Sequence, residues 1–348
     1  MKHRSRALTF ISLLVGLALF VYVVKQAGPA EILARVRSLG AGFAFIIAIS
    51  SLRHVVRALA WLRCMTQEER RVGFFAVVRA RLAGDAIGDL TTAGPLIAEP
   101  LKVMSLGGQL SLTAGASSLA VENLAYVVSS CVMVMSGTLA LLAAFALSES
   151  LRVASLMALA AVLIVIIVSV IVVNRRWAVL SSSVGAVTRL INRGQSASQA
   201  TGRAANWAEM QISRVRGLED YVFDFYARRP MDFFLVALCE IGFHLAGVAE
   251  IYATMHLIGA DITLATAFIL EAVNRVINIV FAFVPAMVGV DEAGTGLLAQ
   301  TLGLGTATGV TLAIIRKIRM FFWIGLGLIF LAGNQPQRTQ RAQRVSKP

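Results

Sequence analysis

At 348 residues, with 57% hydrophobic and 15% charged residues and a mean hydropathy of +0.76, the chain lies outside the composition of soluble globular proteins. Its formal net charge of +13 would suit a nucleic-acid partner. The basic residues fall between and beside apolar runs, however, which is the pattern of membrane topology and anionic-lipid contact, so no nucleic acid is expected.

The predicted elements begin with a basic stretch, Met1 to Arg6, and an apolar run read as a retained first span over 7–25, because no small-residue cleavage site follows it. A crossing helix needs about 20 apolar residues, and further candidates are 41–62, 111–147, 151–173, 231–258, 262–284 and 306–332. The run 111–147 is too long for one straight span and predicts either a long tilted helix or two helices joined near Ser129 to Gly137. Two more segments, 72–110 and 285–305, are apolar but interrupted by Gly, Pro and acidic residues. They predict broken or re-entrant helices, which are stable at membrane depth only under protein or around a water-filled cavity.

Between the halves, Arg175 to Arg229 holds nine arginines against Glu209, Glu219, Asp220 and Asp224, so the positive-inside rule puts the loop 175–230 and the N-terminus in the cytoplasm. Trp207, Ile212, Val215, Leu218, Val222 and Phe225 recur there near helical spacing, as in an amphipathic helix on the inner leaflet or a solvated connector. The tail 334–348 is basic and polar and reads as a disordered cytoplasmic end. Seven crossings would leave it outside, so about eight spans are expected. The fold class is therefore an all-α, polytopic transmembrane bundle with two broken segments. Its parts are a first membrane half (1–174), the basic loop (175–230), a second half (231–333) and the tail. Asp291 precedes Leu302 and Leu304 as Glu99 precedes Leu110 and Leu112, which suggests an internal repeat of the kind many transporters use.

Charges inside spans mark candidate function, since Arg, Lys or Asp at a helix centre costs roughly 2.5–3.5 kcal/mol on insertion scales. Arg81, Asp85 and Asp89 stand four apart, with Arg79 near and Gly84 and Gly88 allowing close helix approach. They form either an internal ion pair or a polar cavity wall. Glu271, Asn274, Arg275 and Asn278 make one polar stripe on an apolar helix. Arg316, Lys317 and Arg319, and Arg53 and Arg57 with His54, have no local carboxylate. Either Glu122, Glu240, Glu250 or Glu271 reaches them from another helix, or an anionic ligand does; Arg57 and Arg319 could instead snorkel. His244 sits one turn from Glu240, which reads as a proton relay or as a packing histidine. Cys64, Cys131 and Cys239 and the four histidines are scattered, so no metal or other cofactor is expected.

Around Gly94 to Lys102 and Pro285 to Glu292, proline ends one helix and acids (Glu99, Asp291, Glu292) stand where another can begin, exposing N–H groups suited to an anionic headgroup. These segments resemble the transmembrane region of the lysylphosphatidylglycerol synthases, a flippase-like family of bacterial and archaeal membrane proteins. The resemblance rests on Ala98-Glu99-Pro100-Leu101-Lys102, where the family tends to have Gly-Glu-Pro-hydrophobic-Arg, on Val121-Glu122, and on the Pro285 to Glu292 turn. Ala98 and Ala286 stand where glycines are expected, and Asn123 where an Arg is. The resemblance implies movement of a lipid across the bacterial inner membrane, not aminoacylation, since these 348 residues include no soluble synthase domain.

The expected function is a flippase or scramblase, not an enzyme. Its cavity would be built from Arg81, Asp85, Asp89, Glu99, Lys102, Glu122, Glu271, Asn274, Arg275, Asn278, Asp291, Glu292, Arg316 and Arg319, with Arg53, Arg57, Glu240 and His244 as secondary candidates. No G-x-x-x-x-G-K-[ST] motif supports direct ATP drive. Membrane lipids are the expected partners: an anionic or aminoacyl phospholipid, a hopanoid or a polyprenyl phosphate. A second copy of the chain or a lipid-biosynthetic enzyme could join them. The alternatives are a membrane-embedded lipid-modifying transferase using Asp85, Asp89 or Glu99, and a non-catalytic scaffold or regulator.

Overall fold

In a computed structural model, the described residues are 17–91, 94–174, 216–281 and 284–345, and they contain helices and no strand. The first half comprises α1 (Leu17–Ala27), α2 (Pro29–Ser38), α3 (Gly42–Cys64), α4 (Phe74–Leu90), α5 (Gly94–Ser105), α6 (Leu112–Ala144) and α7 (Glu149–Asn174). The second comprises α8 (216–228), α9 (Pro230–Leu257), α10 (Leu264–Val280), α11 (Val290–Thr301) and α12 (Thr306–Val345). The basic start before residue 17, most of the 175–230 loop with Trp207, Ile212 and Val215, and the last three residues lie outside the described set.

Helix limits follow local chemistry. Ser111 and Thr263 cap α6 and α10, their hydroxyls accepting from the N–H groups of Ala114 and Thr266, each at 3.1 Å. Pro29 and Pro230 open α2 and α9 at the first turn, where a missing N–H costs nothing. Gly28, with φ 88°, turns α1 into α2 at 86°. The segment 111–147 resolves as one unbroken helix of 33 residues.

Among the described residues, four helices are long and apolar enough to cross a membrane, in α3, α6, α7 and α9, and the bent pair α1–α2 makes a fifth if it is one span. The segment 262–284, expected as a crossing, instead forms a helix of 17 residues. At 1.5 Å per residue that is about 25 Å, short of a hydrocarbon core of about 30 Å. The helix ends at Val280, and Val284, the residue before Pro285, is extended, as a residue preceding proline prefers. Past Gly333, α12 continues as helix to Val345, through the segment expected to be a disordered tail.

Both interrupted segments are pairs of short helices. In the first, α4 and α5 run antiparallel at backbone contact. A Cβ on Gly94 would lie 2.6 Å from the Gly88 carbonyl oxygen, and one on Gly84 2.4 Å from Lys102 Cγ. In the second, α10 is followed by a turn containing Ala286 at φ 50° and Met287 at φ 48°, then by α11. The Glu292 carboxylate accepts from the Gly289 N–H at 2.8 Å, satisfying an orphan donor at the start of α11.

The halves repeat at the level of whole helices. α4 and α10 are both 17 residues long, and α5 and α11 are both 12. The crossed packing between halves is reciprocal. Gly137 of α6 would drive a Cβ to 2.1 Å from Ala272 Cβ of α10, while Gly327 of α12, 190 residues later, would drive one to 2.2 Å from the carbonyl oxygen of Leu82 of α4, itself 190 residues before Ala272. The helices that precede α4 and α10 in the two halves, α3 and α9, lie antiparallel, with Gly42 beside Leu257 and Val56 beside Gly242. One apolar cluster gathers Ala58 and Trp61 of α3, Val77 and Ala80 of α4, Val103 of α5, Leu106 just after it, and Leu119 of α6. Another gathers Ile46, Met133, Ile251, Met255, Ile269, Leu270, Leu312 and Ile315 from α3, α6, α9, α10 and α12.

At the loop end of α3, the carbonyls that helical geometry leaves unbonded are capped by arginines and a tyrosine. Arg229 donates to Met65 O at 2.7 Å and Arg63 O at 3.1 Å, Arg70 to Leu62 O at 3.1 Å, and Tyr221 to Cys64 O at 2.6 Å. Burial pushes the Tyr221 phenol up to about 12, so it stays a donor through physiological pH. Asp232 holds both Arg70 and Arg229 at 2.7 Å. Phe225 of α8 is buried with Ala60, Cys64, Val121 and Val236, so this part of the expected amphipathic face packs on protein.

Candidate functional site: a charge network across the helices

The polar residues of the repeat occupy matching places with opposite sign. Arg81 and Asp85 are the eighth and twelfth residues of α4; Glu271 and Arg275 are the eighth and twelfth of α10. In α10 this pair bonds within its own helix, Arg275 donating to Glu271 at 2.5 Å through Nη2 and 3.1 Å through Nε. In α4 the two residues part company. Arg81 reaches Glu122 of α6 at 3.1 Å, and Asp85 takes Lys102 of α5 at 2.9 Å. The internal α4 ion pair does not form because each member has a closer partner on a neighbouring helix.

Around these pairs the described residues assemble five arginines and four glutamates: Arg53, Arg57, Arg81, Arg275 and Arg319 with Glu122, Glu240, Glu250 and Glu271. Arg57 Nε lies 2.7 Å from Glu122, and Arg57 Nη1 lies 3.9 Å from Glu240. Arg53 bridges Glu250 and Glu271 at 3.5 Å each, and Arg319 pairs with Glu250. Arg57 and Arg319 are thus engaged inside the protein and do not snorkel. Fully ionised, this group carries one net positive charge, in a place where each ion is costly without a partner.

Aromatic rings fill the space between the guanidinium groups. Arg53, Arg57 and Arg275 lie 4.6, 5.6 and 4.8 Å from the centre of the Phe243 ring, and Arg57 lies 4.0 Å over Tyr126. Tyr126 also accepts from Arg275 at 2.9 Å. His54 packs against Trp323, whose indole donates to Ser50 at 2.8 Å.

Two satellite groups sit at the hairpins. In the first, Lys102, almost wholly buried, meets both Asp85 and Glu99 at 2.9 and 2.8 Å, and the two acids are 34% and 29% exposed. One cation therefore serves two acids in a partly open place, and Glu99 Oε2 has no hydrogen bond among the described residues. In the second, Arg316 donates to Asp291 and Thr295 at 2.7 and 2.6 Å, and Lys317 lies 2.7 Å from Glu292. That group is balanced and closed, with Glu292 wholly buried.

Most of the residues expected at the site are thus brought into one of these three groups. Asp89 is exposed near the end of α4 and joins none of them; Asn274 and Asn278 are half-buried, the Asn278 side chain donating to the Asn274 carbonyl at 2.8 Å. Glu250, Ser129, Tyr126 and Phe243 were not among the expected site residues. Glu250 was visible only as one of several acids able to answer the arginines, and aromatic residues inside spans carry no sequence signal that separates ring packing from site lining.

Fold and network together define a polytopic helical membrane protein with paired short helical hairpins around buried charge. A family model described as the lysylphosphatidylglycerol synthase TM region matches residues 9–328, and the chain belongs to that family. It is accordingly a membrane protein related to lipid handling. No curated protein and no solved structure matches the chain.

Proposed function

We propose that the protein is a flippase or scramblase that moves a lipid with a polar or phosphate headgroup across the bacterial cytoplasmic membrane, the headgroup passing along the charge network while the acyl chains stay in the bilayer. The observation that carries this reading is the net positive, arginine-rich network walled by two helical hairpins too short to cross. A bilayer tolerates such a network only where it is paired or faces a polar ligand, and guanidinium groups suit phosphate oxygens bidentately. The open, acid-rich corner at Asp85, Glu99 and Lys102 fits the entry of a headgroup bearing an amine or hydroxyls.

In this reading the short pairs α4–α5 and α10–α11 return to the side they enter from, and the crossings are made by α1–α2, α3, α6, α7, α9 and α12. An even count puts the basic N-terminus, the 175–230 loop and the basic tail together in the cytoplasm without an eighth span. Antiparallel α3 and α9 give the halves opposite topology, as in transporters with inverted repeats.

The test is reconstitution of the full chain in liposomes containing fluorescent anionic, zwitterionic or polyprenyl-phosphate lipids. Transbilayer movement without chemical change is the expected result. A modified lipid would assign a transferase instead, and lipids that neither move nor change in any composition would refute the proposal.

A further inference from the structure

One buried group is left over by the lipid-handling reading: Glu240 of α9, with its side chain 2% exposed. Its partners differ in kind from those of the other buried glutamates. Among the described residues the cation paired with it is Arg57 at 3.9 Å, beyond hydrogen-bond range, and that guanidinium is already committed to Glu122 through Nε at 2.7 Å and Nη2 at 3.1 Å. Among the described residues, the two atoms that face each other across the gap, Glu240 Oε1 and Arg57 Nη1, both lack a hydrogen bond. A buried carboxylate held this loosely is poorly compensated as an anion.

The other oxygen of Glu240 meets a group able to serve either protonation state. Ser129 of α6 lies 3.1 Å from Glu240 Oε2, 3.0 Å from the Tyr126 carbonyl oxygen and 3.1 Å from His244 Nε2. With Glu240 ionised, the Ser129 hydroxyl donates to the carboxylate and His244 Nε2–H donates to the hydroxyl oxygen. With Glu240 protonated, its O–H donates to the same oxygen, and the serine hydrogen turns to the Tyr126 carbonyl. One proton is gained and no hydrogen-bonding group on Ser129 is orphaned in either state.

The surrounding charges set what that proton does. From α3, Arg57 and Arg53 face this region. From α6 come Glu122 and Tyr126, with Arg81 of α4 behind Glu122; from α10 come Glu271 and Arg275; from α12 comes Arg319, held by Glu250 on α9 itself. The network holds one net positive charge with Glu240 ionised and two with it protonated. Protonation also removes the carboxylate opposite Arg57 Nη1, leaving that N–H without an anion.

We propose that Glu240 is a proton-binding site coupled to anion binding: a proton on Glu240 removes the negative charge opposite Arg57 Nη1, so that this N–H, with Arg57 still held by Glu122, takes a phosphodiester headgroup and the protein moves a monoanionic phospholipid together with one proton. This rests on the flippase reading and adds both the coupling ion and the charge class of the headgroup. Coupling is reciprocal, so the lipid raises the proton affinity of Glu240 as much as the proton raises affinity for the lipid. Ser129 and His244 are positioning residues in this scheme.

The experiment uses full-length protein in liposomes carrying fluorescent phosphatidylglycerol, whose phosphodiester charge is constant in the range tested, with transbilayer rates measured from pH 8 down to pH 5. In the wild type the rate rises as pH falls, by about tenfold per pH unit over the linked range for one proton, and a dye trapped inside reports proton entry that follows lipid movement. Glu240→Gln, a neutral isostere that keeps a contact to Ser129, runs at pH 8 as fast as the wild type at its acid limit, with no pH slope and no proton entry. Ser129→Ala shifts the pH at which the wild-type rise occurs. Should Glu240→Gln fail to fold, proton uptake by the wild type on binding short-chain phosphatidylglycerol in detergent still decides: about one proton per lipid supports the coupling and none overturns it. A wild-type rate flat with pH, or a Glu240→Gln variant that keeps the slope, overturns the coupling and leaves the flippase reading standing. Movement of no lipid at any pH removes both.

Discussion

Replacing Glu122 with Gln isolates the energetic centre of the network. The Glu122 side chain is fully buried and receives Arg57 at 2.7 Å and Arg81 at 3.1 Å, both guanidinium groups being themselves nearly inaccessible. Gln keeps the volume and one carbonyl oxygen but removes the only charge within salt-bridge distance of Arg81 among the described residues, leaving Arg57 with Glu240 at 3.9 Å. Breaking a buried pair on one side costs about 3–5 kcal/mol, which is roughly a hundred- to several-thousand-fold in the folding equilibrium. The assay is unfolding in bicelles by graded additions of SDS, followed by tryptophan fluorescence. Trp61 is a suitable reporter, buried one turn along α3 from Arg57 and donating to Ser118 at 3.0 Å. The double variant Arg81→Gln/Glu122→Gln removes both charges and should recover part of the loss, with a coupling of about 0.5–3 kcal/mol. A Glu122→Gln protein within about 1 kcal/mol of wild type, or a strictly additive double variant, would refute the reasoning.

Three further outcomes follow from the packing. Gly137→Val and Gly327→Val, at the reciprocal contacts between halves, should each cost about 1–3 kcal/mol by overpacking, read as a lower midpoint in the same unfolding assay; one variant tolerated while the other collapses would contradict the twofold arrangement. Ala286→Gly should stabilise the protein by about 1 kcal/mol, since Ala286 holds a left-handed φ of 50° that glycine adopts freely; a neutral or destabilising result would remove backbone strain from the turn. Arg229→Gln should loosen the segment containing α8 by uncapping α3, seen as faster proteolysis after Arg216 or Arg228 without loss of the membrane core.

The sequence made the polar stripe on α10 legible because Glu271, Asn274, Arg275 and Asn278 fall at helical spacing against an apolar background. It was less informative about pairing. Arg81 and Asp85 look like a self-sufficient pair at i and i+4, yet each is answered from another helix, by Glu122 and Lys102; side-chain spacing on one helix carries no information on which neighbour comes closer. The repeat was visible but misaligned. Glu99 and Asp291 share a distance to the following leucines, but Glu99 is the sixth residue of α5 and Asp291 the second of α11. The turns cause the slip: three residues separate α4 from α5 and nine separate α10 from α11. Matching positions also carry opposite charge, Arg81 against Glu271 and Asp85 against Arg275, which hides the duplication from residue-by-residue comparison. The length of α10 was obscured because residues 281–284 continue its hydrophobic pattern in the sequence, although the helix ends at Val280.

The measurement closest to the central claim is transbilayer lipid movement in liposomes by the wild type and by Glu99→Gln. Glu99 is partly exposed, and Lys102 keeps Asp85 when it is neutralised, so the variant should fold and insert as the wild type does. Movement well above that of protein-free liposomes, slowed roughly tenfold by loss of one charge-assisted contact to the headgroup, is the result this account predicts. Wild-type protein no faster than empty liposomes, or Glu99→Gln at the wild-type rate, would contradict it.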